Sequence, residues 1–246
     1  MSKLLGGGDA MSDGGRTSVI TPRVMTDADY DRYEAELAAK FPGGIFGTLS
    51  HVEDAWLADL EEVLLSQSEE AIQRFISERP YLLRYITPGT GHHGIWIFPK
   101  RVIQVNQPNG KPGLIPDFLV VARNSDGYTW WIVELKRADQ LFANRQGDAL
   151  TPMANKALIQ CASYLDHFNN YIDMIRSLIG LPDLGRPKGA LLLIGDARNE
   201  NDMQSAVRKN FNSALSDRLQ VYSYSRMVAG LMSDLGWRRR SQTPDP

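Results

Sequence analysis

The stretch Pro116-Asp117-Phe118-Leu119-Val120-Val121-Ala122, followed by Tyr128-Thr129-Trp130-Trp131-Ile132-Val133-Glu134-Leu135-Lys136, decides the fold. Both runs are rich in β-branched and aromatic residues, and Asn124-Ser125-Asp126-Gly127 between them supplies turn chemistry. Strands over 114–122 and 128–136, joined as a hairpin, are the expectation. Side chains alternate along a strand, so Glu134 and Lys136 point one way and Trp131, Val133 and Leu135 the other. If 124–127 form a four-residue loop, Arg123 pairs with Tyr128 and Asp117 lies opposite Glu134. If the turn is Asp126-Gly127 alone, Asp117 faces Lys136. The two registers differ by two residues, so both keep all three charged side chains on one face.

That face has a chemical consequence. Two carboxylates opposed across a strand pair sit about 5 Å apart at their Cβ atoms and repel unless a cation lies between them. Hard oxygen ligands suit Mg²⁺, and an adjacent lysine can position a water and stabilise charge on a phosphate. The pattern therefore predicts metal-assisted phosphodiester hydrolysis. The bland alternative is a pair of solvated charges at a strand end, since Glu-x-Lys alone is uninformative. Against it, the charges interrupt apolar strands, and they do so on two neighbouring strands at once.

Working outward, residues 1 to about 26 are Gly-, Ser-, Thr- and Asp-rich without periodicity and read as a flexible arm. Helices are expected over 27–40, where Pro42-Gly43-Gly44 ends the run, and over 51–65, with Trp56, Leu57, Leu60, Val63 and Leu64 on one face. A third runs from an N-cap at Ser68 to a stop at Pro80. One or two short strands fit 95–105, a long helix 153–179, and a strand covered on both faces 190–195. A helix over 202–215, a strand over 219–222 and a helix over 225–235 complete the chain. Helices, a β-meander, then alternating helix and strand describe an α/β domain with a mixed sheet flanked by helices.

The hairpin motif can now be placed. Pro116-Asp117 followed by Glu134-Leu135-Lys136 resembles the PD-(D/E)xK nuclease superfamily. More narrowly, the chain resembles the Shedu family of bacterial anti-phage nucleases. The likeness is carried by Glu69-x-x-x-Gln73-x-Phe75-Ile76 with Pro80-x-Leu82-Leu83, by the hairpin, and by Gln160-x-x-x-Tyr164. Leu191-Leu192-Leu193-Ile194-Gly195 and Val221-Tyr222-Ser223-Tyr224 extend it to roughly residues 63–235. The resemblance implies a restriction-endonuclease-like domain over 51–246, behind an N-terminal appendage of arm and short helix over 1–50. It implies DNA cleavage with Mg²⁺, or Mn²⁺ in its place, held by Asp117 and Glu134 and completed by Glu69. Lys136 would be catalytic, and Gln160 would orient the site. It further implies phage or foreign DNA as substrate and a homo-oligomer. A nuclease-fold module that binds DNA or a partner protein without cutting is the alternative, and a housekeeping nuclease in repair or restriction a third reading. For Glu69 a helix-start role, for Gln160 a capping or surface role and for Tyr164 core packing stand as the structural alternatives.

Composition limits the rest. With 27 Lys+Arg against 29 Asp+Glu among 246 residues, the net charge of −2 excludes a polybasic binder, so any nucleic-acid contact is local. Lys100, Arg101, Arg137, Arg145 and Lys156 are candidates for a phosphate-facing rim, and Trp237-Arg238-Arg239-Arg240 for a basic tail. His92-His93 lies between glycines without a second ligand at regular spacing and reads as loop. The single cysteine, Cys161, excludes an internal disulfide and reads as a core thiol. No apolar run reaches the roughly 18 residues a bilayer span needs. Leu4-Leu5 runs straight into three glycines, so no signal-peptide core is read and a cytoplasmic location is expected.

Overall fold

A computed structural model describes residues 26–90, 93–106, 112–214 and 218–242. The expected arm, His92 and the far end of the expected 202–215 helix lie outside them. In chain order the elements are α1 (Asp27–Ala38), β1 (Ile45–Gly47), α2 (Trp56–Leu65), α3 (Glu69–Glu78), β2 (Ile95–Pro99), β3 (Gln104–Asn106) and β4 (Pro112–Leu114). There follow β5 (Phe118–Asn124), β6 (Gly127–Leu135), α4 (Pro152–Ile179), β7 (Gly189–Leu193), α5 (Asp202–Ala214), β8 (Leu219–Tyr222) and α6 (Tyr224–Gln242).

Local chemistry accounts for the main boundaries. The Thr26 hydroxyl and the Asp29 carboxylate close a reciprocal capping box on α1. Ser68 accepts from the Ala71 amide at 3.1 Å and starts α3, and Thr151 does the same for α4, whose first residue is Pro152. Helix α4 ends on Gly180, whose φ of +67° suits a residue without a β-carbon.

The β5–β6 hairpin adopts the register in which Arg123 faces Tyr128. Asn124 also pairs with Gly127, so the connection is only Ser125-Asp126, and the Asn124 side chain accepts from the Asp126 amide at 2.9 Å. The single strand expected over 114–122 is two. Leu114 ends β4, which pairs with β3 in a separate ribbon, and β5 starts at Phe118. Pro116 lies in the break and has no N–H to give a ladder.

The main sheet has the order β1-β2-β5-β6-β7-β8. Its first four strands are antiparallel, while β6, β7 and β8 run parallel through crossovers containing α4 and α5. On one face Ile97, Phe118, Val120, Trp131, Val133 and Leu193 pack against Leu60 of α2, Ile72 and Ile76 of α3 and Leu231 of α6. On the other, Trp96, Val121, Trp130, Ile132 and Leu192 meet Leu37 of α1, Cys161, Tyr164 and Phe168 of α4 and Phe211 of α5. Both faces being covered explains why every residue of β7 is buried and apolar. Each large side chain so buried contributes roughly 1.5–3 kcal/mol.

The edge strand β1 escapes a periodicity reading because it has three residues after a Gly-Gly pair. Its last residue must be glycine for a tertiary reason: a β-carbon on Gly47 would lie 2.6 Å from the Tyr81 amide nitrogen. Through β1 the sheet begins before residue 51.

Candidate active site

The hairpin, β2 and the first turns of α3 and α4 meet at the carboxyl end of β6. They enclose an open cavity of about 620 Å³ whose charged lining is Glu69, Lys100, Asp117, Glu134, Lys136 and Lys156, with Gln160 and Ser163 beside them. The four residues expected to do chemistry and the expected third metal ligand thus face one space. Asp117 and Glu134 are each only 3% exposed at the side chain, and Lys136 9%. Three buried charges at the end of an apolar sheet are expensive unless they find partners.

They do. Lys136 Nζ donates to Glu134 Oε1 at 2.7 Å and to the Leu135 carbonyl at 2.8 Å. The other Glu134 oxygen lies 3.1 Å from the Tyr164 hydroxyl, which receives a 2.8 Å hydrogen bond from Gln160 Nε2. Asp117 Oδ2 accepts from the Leu135 amide at 2.6 Å, and Oδ1 is paired with the ammonium of Lys100. The root of Lys136 is clamped as well. Its amide donates to the Leu193 carbonyl at 2.8 Å, and its own carbonyl accepts from the buried Tyr224 hydroxyl at 2.7 Å.

The electrostatics follow from burial and mutual charge. Burial, and next the charge of Asp117, push the Glu134 carboxyl up to about 7 against the pull of Lys136 and Tyr164. For Lys136 burial alone would lower the ammonium, but the charge and hydrogen bond of Glu134 outweigh it and hold it above its ordinary value. Burial and Glu134 likewise raise the Tyr164 hydroxyl, keeping it a neutral donor.

The hard donors offered to a cation are the carboxylates of Asp117 and Glu134 and the carbonyl of Leu135, which Lys136 already meets with positive charge. This set fits Mg²⁺ or Mn²⁺, because such ions are held by one or two carboxylates with water and substrate phosphate completing the shell. Among the described residues no three His, Cys, Asp or Glu side chains form a ready-made cage. Glu69 stands across the lysine, 3.6 Å from Lys136 Nζ and 38% exposed.

The other sequence candidates divide. Lys100 and Lys156 line the cavity, whereas Arg101 is hydrogen-bonded to the Gly43 carbonyl at 2.9 Å and Arg137 is paired with Asp139 at 2.8 Å. Arg145 and His93 are not among the lining residues. Arg238 of the basic tail donates to the Val52 carbonyl and Arg239 lies 3.9 Å from Asp54, so the tail continues α6 against the body of the protein. Cys161 is a buried core thiol whose pKa burial pushes far up. Tyr164 combines core packing with a polar role, its ring buried and its hydroxyl donating to Glu134. Tyr224 carried only part of a family likeness in sequence, and its clamp on Lys136 is made across 88 residues of chain.

Tyr164→Phe keeps the ring and removes the hydroxyl. Groups that orient a metal ligand are commonly worth about 10–100-fold in activity or metal affinity, and a loss in that range is expected. Mn²⁺ affinity, read by calorimetry against an unchanged melting temperature, checks it.

The fold and cavity define a three-layered α/β domain with a buried acid–acid–lysine centre at one end of a mixed sheet. The chain belongs to the Shedu family, since the family model described as the Shedu protein SduA, C-terminal, matches residues 66–227. That range holds every charged residue lining the cavity. Membership suggests a role in anti-phage defence. No curated protein matches the chain. Among the described residues no helix is long and apolar enough to cross a membrane.

Proposed function

We propose that this protein is a metal-dependent DNA endonuclease of the PD-(D/E)xK type, with a restriction-endonuclease-like fold, acting in anti-phage defence from the cytoplasm as a homo-oligomer. The observation that carries the reading is the convergence of buried Asp117, Glu134 and Lys136 on one cavity, with Lys100 and Lys156 beside them.

In this reading Asp117 and Glu134 hold Mg²⁺, and Glu69 completes its surroundings. When bound, the ion supplies a polarised phosphate and a more acidic water. The protein's own groups do the remainder. Tyr164, fixed by Gln160, holds Glu134 in place. The clamped Lys136 ammonium orients the attacking water and stabilises the negative charge that develops on the phosphate. Lys156 and Lys100 bind neighbouring phosphates at the mouth of the cavity and set the strand's position without reading its bases.

One observation favours the competing reading of a silent DNA- or protein-binding module: each carboxylate oxygen of Asp117 and Glu134 already has a partner. Linear and supercoiled duplexes incubated with the protein in Mg²⁺, in Mn²⁺ and in EDTA separate the two. Cutting of either form with metal and none with EDTA is expected. Binding without cutting under every condition would transfer the assignment to the silent module.

A further inference from the structure

We propose that Lys100 is a built-in competitor for the divalent cation. Its ammonium holds Asp117 in the metal-free protein and turns to a DNA phosphate when metal takes its place, so metal loading and DNA engagement are coupled. This rests on the nuclease reading above and extends it to regulation of the same site.

The backbone places Lys100 at this position. Its amide donates to the Asp117 carbonyl at 2.9 Å, continuing the β2–β5 ladder one step beyond the Pro99–Phe118 pair. Lys100 is therefore the cross-strand neighbour of Asp117 on the side away from β6. Its φ of +49° lies in the left-handed region, which a residue with a β-carbon adopts only at a steric cost. Glycine would meet no such cost, and here the lysine that takes its place reaches the buried Asp117 carboxylate.

The ion pair is built to be exchanged. Asp117 Oδ2 is committed to the Leu135 amide, so Oδ1 is the oxygen that Lys100 occupies and that a cation would claim. The Asp117 side chain is 3% exposed, but that of Lys100 is 52% exposed. Its flexible stem thus reaches inward from the mouth of the cavity and can release the ammonium to solvent or to a phosphate. Lys136 cannot do this, because its ammonium is buried and tied to both Glu134 and the Leu135 carbonyl. One lysine is fixed and the other exchangeable.

Competition of this kind weakens the apparent affinity for metal in proportion to the population in which Lys100 holds Asp117. Linkage then requires that a phosphate drawing Lys100 away strengthens metal binding, and that metal strengthens phosphate binding.

The test is calorimetric titration of Mn²⁺ into the full chain, wild type and Lys100→Met, with and without a short phosphorothioate duplex that resists cleavage. Without DNA, Lys100→Met is expected to bind Mn²⁺ about tenfold more tightly than wild type. The duplex is expected to tighten Mn²⁺ binding in both proteins, because its phosphate completes the metal's shell, and to do so by a clearly larger factor in wild type, where it also draws Lys100 away from Asp117. Equal or weaker Mn²⁺ affinity in Lys100→Met overturns the proposal and leaves the nuclease reading standing. Should Asp117→Asn leave the Mn²⁺ affinity of the protein untouched, the metal does not sit on Asp117, and both fall together. If Lys100→Met does not fold because Asp117 loses its counter-ion, Lys100→Gln keeps a donor without the charge and carries the same expectation.

Discussion

Lys136→Ala is expected to lower DNA cleavage by at least about 10²–10³-fold while leaving DNA binding within a few-fold of wild type. That is the usual consequence of removing one preorganised group from the charge developing in a transition state. The geometry argues for the upper part of that range. The Lys136 ammonium is held by two hydrogen bonds of 2.7 and 2.8 Å, and its backbone is clamped by Leu193 and Tyr224. On the nuclease reading it therefore needs no reorganisation as charge develops on the phosphate. The variant also leaves the buried Glu134 without its closest counter-ion, so a loss of activity by misfolding must be separated from a loss of chemistry. Lys136→Met preserves the stem that packs in the site and should show the same loss of cleavage with a native circular dichroism spectrum. Single-turnover cleavage of linear and supercoiled DNA, with binding measured in Ca²⁺, provides the two readouts. Retention of more than a tenth of wild-type cleavage in both variants would remove Lys136 from the chemistry.

The second large effect concerns stability. Trp96→Ala is expected to cost about 3–5 kcal/mol, the range for deleting a buried aromatic side chain. Trp96 is fully buried, with its ring centroid 4.8 Å from Phe46, 5.2 Å from Phe41 and 5.8 Å from Tyr128. Its indole N–H also donates to the Leu37 carbonyl at 3.0 Å. The substitution therefore empties a hole in the face of β2 and cuts the hydrogen bond that fastens the end of α1 to the sheet. Against a net stability of roughly 5–15 kcal/mol, a loss of this size moves the urea midpoint far. Trp96→Phe, which keeps an aromatic ring, should lose clearly less. A change below about 1 kcal/mol in Trp96→Ala would mean that α1 and Phe41 close over the vacated space, and the assigned role of the indole would be wrong.

These two residues show how unequally the sequence announces its parts. The hairpin is legible because β-branched and aromatic composition and a turn signal agree over nearly twenty positions, and the charged face follows from the alternation of side chains along a strand alone. The choice between registers is not. It depends on Asn124 pairing with Gly127, which shortens the connection to Ser125-Asp126. The break at Pro116 divides what composition suggests is one strand, because a proline has no N–H to give the ladder. Strand β1 was missed because three residues carry no period, and its glycine answers to the Tyr81 backbone far along the chain. Gln160 and Tyr164 were paired from their helical spacing, but the spacing could not say that their shared face meets Glu134.

What the sequence by itself determined is therefore local and periodic: most of the helices and the cap at Ser68, the buried run of β7, and the placing of Asp117, Glu134 and Lys136 on one side of a hairpin. These follow from interactions within a few residues, or from a repeat that a single element must satisfy. Only the tertiary structure decided which partners those charges have. Lys100 reaches Asp117 from β2, Tyr164 reaches Glu134 from α4, and Tyr224 reaches Lys136 from α6. The physical reason is that a buried charge must be neutralised by whatever the packed layers bring within hydrogen-bonding distance, and that is set by sheet order and helix docking across the chain, not by spacing along it.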